Sequence, residues 1–306
     1  MSGDSSRVVV GTEDGVWVLA QRPTGWAVLH DQLHGRDVWT VTTSPHQPEV
    51  LFAGTGGHGL FRSVNGGGSW RPMSRGLESA YVRALAVDPR DPARVHAAAE
   101  PPAWYTSTDE GETWMCIADG AAFAGAAEVR AMAVITPEAP VFLLAAPDTL
   151  WRTGDAGQVW ERATVPAGIR QLAVLQPASH IFAATAEGLY HSVDAGATWA
   201  CGLAGACHAV AAAPDGAWLA AAIRRPGTTV AAIVVSRDTG ATWSTLAAAP
   251  QPFVRLAASA VGLMAIDDAG GLWYTHWADD SSVPAVPWQT VVDDLPPAYD
   301  VHMFAD

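Results

Sequence analysis

Ser107-Thr-Asp-Glu-Gly-Glu-Thr-Trp114 decides the fold, because it recurs along the chain. It returns as Ser63-Val-Asn-Gly-Gly-Gly-Ser-Trp70, Thr153-Gly-Asp-Ala-Gly-Gln-Val-Trp160, Ser192-Val-Asp-Ala-Gly-Ala-Thr-Trp199 and Ser236-Arg-Asp-Thr-Gly-Ala-Thr-Trp243. Two weaker copies end at Trp26 and Trp288. The seven tryptophans are spaced by 44, 44, 46, 39, 44 and 45 residues. A period of that size belongs to four-stranded propeller blades.

Each repeat reads as four short strands. In the second they span 38–43, 50–53, 60–63 and 70–73, divided by Pro45, Gly54, Gly56, Gly66 and Gly67. The motif falls in the turn between the third and fourth strands. Its Asp suits backbone N–H groups of its own turn, its Gly allows positive φ, and its Trp is expected between neighbouring units. No helical period appears, so the chain reads as all-β. The first unit supplies only three strands, 7–13, 16–20 and 26–30. The tail Asp300-Val-His-Met-Phe-Ala305 matches first strands such as Val82-Arg-Ala-Leu-Ala-Val87. The sequence therefore predicts one seven-bladed β-propeller over residues 1–306. The strand 300–305 completes the first blade and closes the ring, which hides the sheet edges. The predicted blades are 7–31 plus 299–306, 37–75, 81–119, 128–164, 168–204, 206–248 and 253–293. The segment Ala278-Asp-Asp-Ser-Ser-Val-Pro-Ala-Val-Pro287 replaces the motif of the seventh blade and reads as a lower loop.

Composition narrows the function. The 306 residues carry a net charge of −14, and all 17 cationic side chains are Arg. With no Lys there is no P-loop lysine, no Schiff base and no pyridoxal chemistry. Hydrophobic residues at 49% against 16% charged ones describe a packed core rather than a disordered chain. The acidic balance argues against nucleic acid or an anionic membrane as partner. Three cysteines, Cys116, Cys201 and Cys207, do not make a disulfide framework. There is no signal-peptide pattern and no apolar run of about 18 residues. A cytoplasmic monomer without cofactor is expected.

The Ser-x-Asp-x-Gly-x-Thr-Trp motif resembles the Asp-box, or BNR repeat, of sialidases, xyloglucan hydrolases, sortilin-type receptors and photosystem II assembly-factor propellers. The resemblance covers essentially the whole chain. It implies a propeller whose boxes are structural and lie on the bottom periphery, away from ligands. Sialidases resemble six-bladed rings with an Arg-Ile-Pro motif, which this chain lacks. Xyloglucan hydrolases place their carboxylates between two seven-bladed rings, and sortilin-like rings carry a cysteine-rich module. In blade number and size the chain is most similar to the assembly-factor type, which implies a non-catalytic scaffold. That type is usually exported, a pattern without counterpart here.

One column breaks the apolar pattern. Aligned on apolar positions, the second residue of the first strands is Trp39, Arg83, Arg130, Arg170, His208, Arg255 and His302. Arg and His total 27 of 306 residues, so chance would place about 0.6 of them in seven positions. Innermost strands begin at the top of a propeller, so these side chains are expected around the channel mouth. Strict alternation puts Arg83 on the side of Leu85 and Val87. Two outcomes are open. The arginines pair with Glu100, Glu128 and Asp148 in a bracing network, or they converge on an anion, which guanidinium binds bidentately.

The first expectation is thus a non-catalytic propeller that binds an anionic small molecule or an acidic protein segment. Trp39 and Tyr81 would supply a stacking surface, and His208 and His302 would tune charge near neutral pH. The alternative is a glycoside hydrolase or lyase on an acidic sugar, with Glu100, Glu128 or Asp148 as acid or base. No metal is expected; His34, His58, His208 and His302 are the imidazoles that could hold one, and they lack a spacing motif. Cys207 and His208, adjacent on a strand, should point to opposite faces and not form a nucleophile–base pair.

Overall fold

The computed structural model describes residues 6–135, 140–165, 168–175, 180–227, 231–249, 251–260, 262–276, 287–292 and 294–304. Among these residues the strands form seven four-stranded antiparallel sheets. Blade one runs outward from Ala298–Met303 through Arg7–Thr12 and Gly15–Arg22 to Gly25–Gln32. The inner strands of blades two to seven are Val38–Thr43, Tyr81–Val87, Ala131–Ile135, Gln171–Leu175, Ala206–Ala212 and Phe253–Ala258. Each inner strand touches the next, and that of blade seven touches Ala298–Met303, so the ring is closed. The structure is an all-β, seven-bladed propeller.

The C-terminal strand completes the first blade. It begins two residues earlier than the sequence suggested, and His302 faces Val9 while Val301 faces Val10. Ala305 lies outside the described residues, as does 278–286 of the seventh-blade segment.

The core sits between blades. Seven apolar clusters each draw on two adjacent blades, and each holds one of the seven repeat tryptophans. Trp114 joins Phe52, Leu60 and Met73 of blade two to Leu85, Val95 and Tyr105 of blade three. Its indole N–H donates to the Met73 carbonyl at 2.7 Å. Each large apolar side chain so buried contributes about 1.5–3 kcal/mol, and a single blade could not bury them alone.

The recurrent motif forms a self-contained turn on the lower face, opposite the end where the inner strands begin. Ser107 Oγ accepts from Gly111 N at 2.8 Å and donates to Asp109 Oδ1 at 2.7 Å. Asp109 also accepts from Thr113 N at 2.8 Å and Thr113 Oγ1 at 2.6 Å. These bonds, those from Thr113 foremost, lower the Asp109 carboxyl to about 2. Asp238 repeats the arrangement with Thr242 and Ser236. The motif glycine touches the preceding blade. Gly240 has φ 90°, and a Cβ there would lie 2.8 Å from the Phe182 ring.

Candidate functional site

The upper ends of the inner strands carry an extra residue. Val82 and Ala84 face the consecutive residues Ala99 and Ala98, which leaves Arg83 as the inserted member of a β-bulge. Trp39 holds that place between Val38 and Thr40, and His208 between Cys207 and Ala209. Arg130 N and Arg170 N bond to the carbonyls of Ala145 and Ala184, which already face Ala131 and Gln171. In blades seven and one the bulge residues are Val254 and Tyr299. The structural column is therefore Trp39, Arg83, Arg130, Arg170, His208, Val254 and Tyr299. Arg255 and His302 do not belong to it. Arg255 follows the bulge and shares a tier with Gln171 and Asp300, and His302 lies two tiers deeper. The bulge residue Val254 is itself apolar, so an alignment on apolar positions puts it in the place of buried Phe253, and in blade one it puts Val301 in the place of Ala298, which brings Arg255 and His302 into the column. The bulge also breaks the alternation expected for Arg83, Leu85 and Val87.

The column divides into two groups. In the first, Arg83 Nε donates to Glu100 Oε1 at 2.7 Å, and its guanidinium carbon lies 3.7 Å from the centre of the Trp39 ring. The Trp39 and Tyr81 rings are 5.9 Å apart and tilted by 32°. Gly56 makes room, since a Cβ there would lie 2.4 Å from the indole. Tyr81 is 50% exposed, so an aromatic surface faces solvent.

In the second group, Arg130, Arg170, His208 and Arg255 border a hollow of about 590 Å³ with Val254, Asp267, Asp268 and Tyr299. Arg130 pairs with Glu128. Arg255 Nη1 donates to the Arg170 carbonyl at 2.9 Å, and its Nε lies 4.0 Å from Asp300 Oδ1. Arg170 Nη1 meets His208 Nδ1. A guanidinium can only donate, so Nδ1 accepts and the neutral ring carries its proton on Nε2. Burial first, then Arg170 and Arg224, hold His208 below the ordinary imidazole value. Among the described residues no carboxylate pairs with Arg170. Asp267 is occupied by Ala269 N, Gly271 N and Trp273 Nε1. The bracing network is thus partial: Glu100 and Glu128 take part, while Asp148 is exposed and outside every ion pair of the described residues.

Below the rim a channel of about 450 Å³ runs from Arg83, Arg130 and Arg255 down to Pro45, Pro89 and Pro214. In blades three to seven its wall beneath the Gln171 and Arg255 tier is Ala, Val, Leu and Met. Polar groups gather in blades one and two as Thr40, Thr42, Thr43, Asp300 and His302. Asp300 Oδ2 accepts from Val41 N at 3.0 Å, and burial pushes its carboxyl up despite Arg255. His302 Nδ1 bonds Thr43 Oγ1 at 3.0 Å, and burial holds its imidazole down. Gln171 Nε2 donates to the Leu256 carbonyl at 2.9 Å, lacing blade five to blade seven across blade six. Sequence reasoning did not single out Gln171, and it gave Asp300 no role beyond a place at the mouth and at the start of the closing strand. Their signal was the tier after the bulge, where Thr40, Gln171, Arg255 and Asp300 stand among Ala84, Ala131 and Ala209.

The remaining candidates stand apart. His34 is exposed, 3.7 Å from both Asp14 and Asp31, and His58 is exposed in its loop. Among the described residues no three His, Cys, Asp or Glu side chains are grouped to hold a metal. Cys207 is buried, its thiol bonds the Ala209 carbonyl, and burial pushes it up to about 12.

No family model matches the chain, and no curated protein matches it. Solved structures do. A GH74 enzyme of Niastella koreensis is similar at 13% identity, covering 94% of this chain and 46% of that one, with a TM-score of 0.65. An ancestral GH74 enzyme is similar at 16% identity, over 84% of this chain and 38% of that one, with a TM-score of 0.64. The chain thus spans less than half the length of these two enzymes. YCF48 bound to D1 peptide is similar at 16% identity, over 94% of this chain and 83% of that one, with a TM-score of 0.59. At such identities the likeness shows the propeller fold. No described helix is long and apolar enough to cross a membrane.

Proposed function

We propose that this is a non-catalytic binding propeller of the Asp-box type whose upper mouth receives a carboxylate, free or on an acidic protein segment. The observation that carries it is Arg170, a guanidinium without a carboxylate partner among the described residues, set against neutral His208 beside an open hollow. Arg130 and Arg255 stand on the same hollow, so more than one guanidinium is available to a multivalent anion. The Trp39–Tyr81 surface adds a stacking face nearby. A peptide-bound propeller among the similar structures supports partner binding in general terms. Two exposed free thiols, Cys116 and Cys201, suit a reducing, cytoplasmic setting. The hydrolase alternative needs an unpaired acid beside a pocket; Glu100 and Glu128 are each engaged by arginine and Asp148 does not line the hollow, so Asp268, on the hollow and outside every ion pair of the described residues, is the acid that this alternative would have to use.

The test is thermal unfolding with citrate, glucuronate and phosphate, on the native protein and Arg170→Gln. A ligand at one hundred times its Kd stabilises by about 2.7 kcal/mol. A shift with citrate that disappears in Arg170→Gln is expected. An equal shift in both proteins would place the anion elsewhere. Turnover of a glucuronide that is abolished by Asp268→Asn would establish the hydrolase instead.

A further inference from the structure

The channel and the mouth abut, and their chemistries differ. Arg130 and Arg255 border both spaces, so a ligand held by these arginines would stand at the top of the channel. Beneath the Gln171 and Arg255 tier the wall of five consecutive blades carries only apolar side chains. The inner strands descend through about five residue steps from rim to base, roughly 17 Å at the rise of a strand. Several wall residues are alanines that retain solvent-accessible surface, among them Ala86, Ala173 and Ala257. Small side chains there leave the space open rather than filling it. A channel with an apolar wall over five blades, a polar one over two and guanidinium groups at its upper end suits a ligand with one anionic end and one long apolar end. A purely polar anion would use the mouth alone, and a purely apolar molecule would leave Arg170 unanswered.

We infer that the ligand is an unbranched aliphatic monocarboxylate, its carboxylate at Arg170 and Arg130 and its chain in the central channel, an inference that rests on the anion-binding role of the mouth. The head would accept hydrogen bonds from guanidinium and from the Nε2–H of His208. The tail would lie against the apolar side of the channel, opposite Thr42 and His302.

Titration calorimetry of the full chain with hexanoate, octanoate, decanoate and, as a tail-free probe, citrate tests this. Each added methylene should tighten binding about three- to fourfold. Ala173→Leu and Ala257→Leu, which narrow the channel, should remove the gain beyond hexanoate, with unfolding curves showing that both variants fold. Arg170→Gln should weaken the whole acid series. Equal Kd values for hexanoate and decanoate, with citrate still bound, would overturn the channel assignment and leave the anion site standing. Failure of citrate and every fatty acid to bind would overturn both. Binding of 1-decanol as tight as that of decanoate would remove the head-group assignment.

Discussion

His96 shows how a single side chain sets the acid response. It is fully buried, its Nδ1 meets Thr106 Oγ1 at 3.0 Å and Trp104 Nε1 at 3.3 Å, and it packs on Phe142. Burial, with Arg94 adding to it, lowers its pKa from 6.5 to about 3. Below pH 6.5 the unfolded chain gains a proton that the folded one refuses. Stability is therefore full above 6.5 and declines as pH falls toward about 3, by up to about 1.4 kcal/mol per pH unit. His96→Gln keeps an acceptor for Trp104 and cannot titrate, so urea titrations across this range should show a flatter decline than in the native protein. An unchanged slope would mean that His96 is not the group responsible. The turn carboxylates act in a lower window. Asp109 and Asp238, each lowered to about 2 by bonds from Thr113 and Thr242, contribute stability above the usual carboxylate range that is lost as pH falls through about 2.

At the scale of the strand, Ala298–Met303 is the element on which the ring depends. It pairs with Arg7–Thr12 on one side, and Asp300 accepts from Val41 of blade two on the other. Deleting residues 300–306 removes both links and exposes the edge of blade one. Calorimetry should then show a lower and broader transition, and an unchanged one would mean the ring closes without this strand. The element was legible in the sequence because its apolar positions repeat those of other first strands. The blades were legible through the motif period, whose Ser, Asp, Gly and Thr each perform a local task in the turn. The bulge was not legible. It does not change composition, and it moved Arg255 and His302 out of a column that Val254 and Tyr299 occupy. Trp39, Arg83, Arg130, Arg170 and His208 were found because each directly follows a buried residue, Val38, Val82, Val129, Ile169 or Cys207, that anchors the alignment. Which arginine lacks a carboxylate was also hidden, since that depends on loops from the same and neighbouring blades meeting in space.

For the whole molecule, a net charge of −14 surrounds a mouth built from arginines. The acidic exterior is screened beyond about 8 Å at physiological salt, so the local guanidinium cluster governs what enters. Seven interfaces of similar construction hold the ring, and the differences between blades are concentrated at the rim and in the channel. In the proposed reading the asymmetry of the ring's upper end carries the binding. The most direct test is the imidazole titration of His208, followed by NMR with and without saturating citrate. A carboxylate held by Arg170 stabilises the protonated ring, so its pKa, now held down by burial and by Arg170 and Arg224, should rise. A His208 titration that citrate leaves unmoved would contradict an anion site at this mouth.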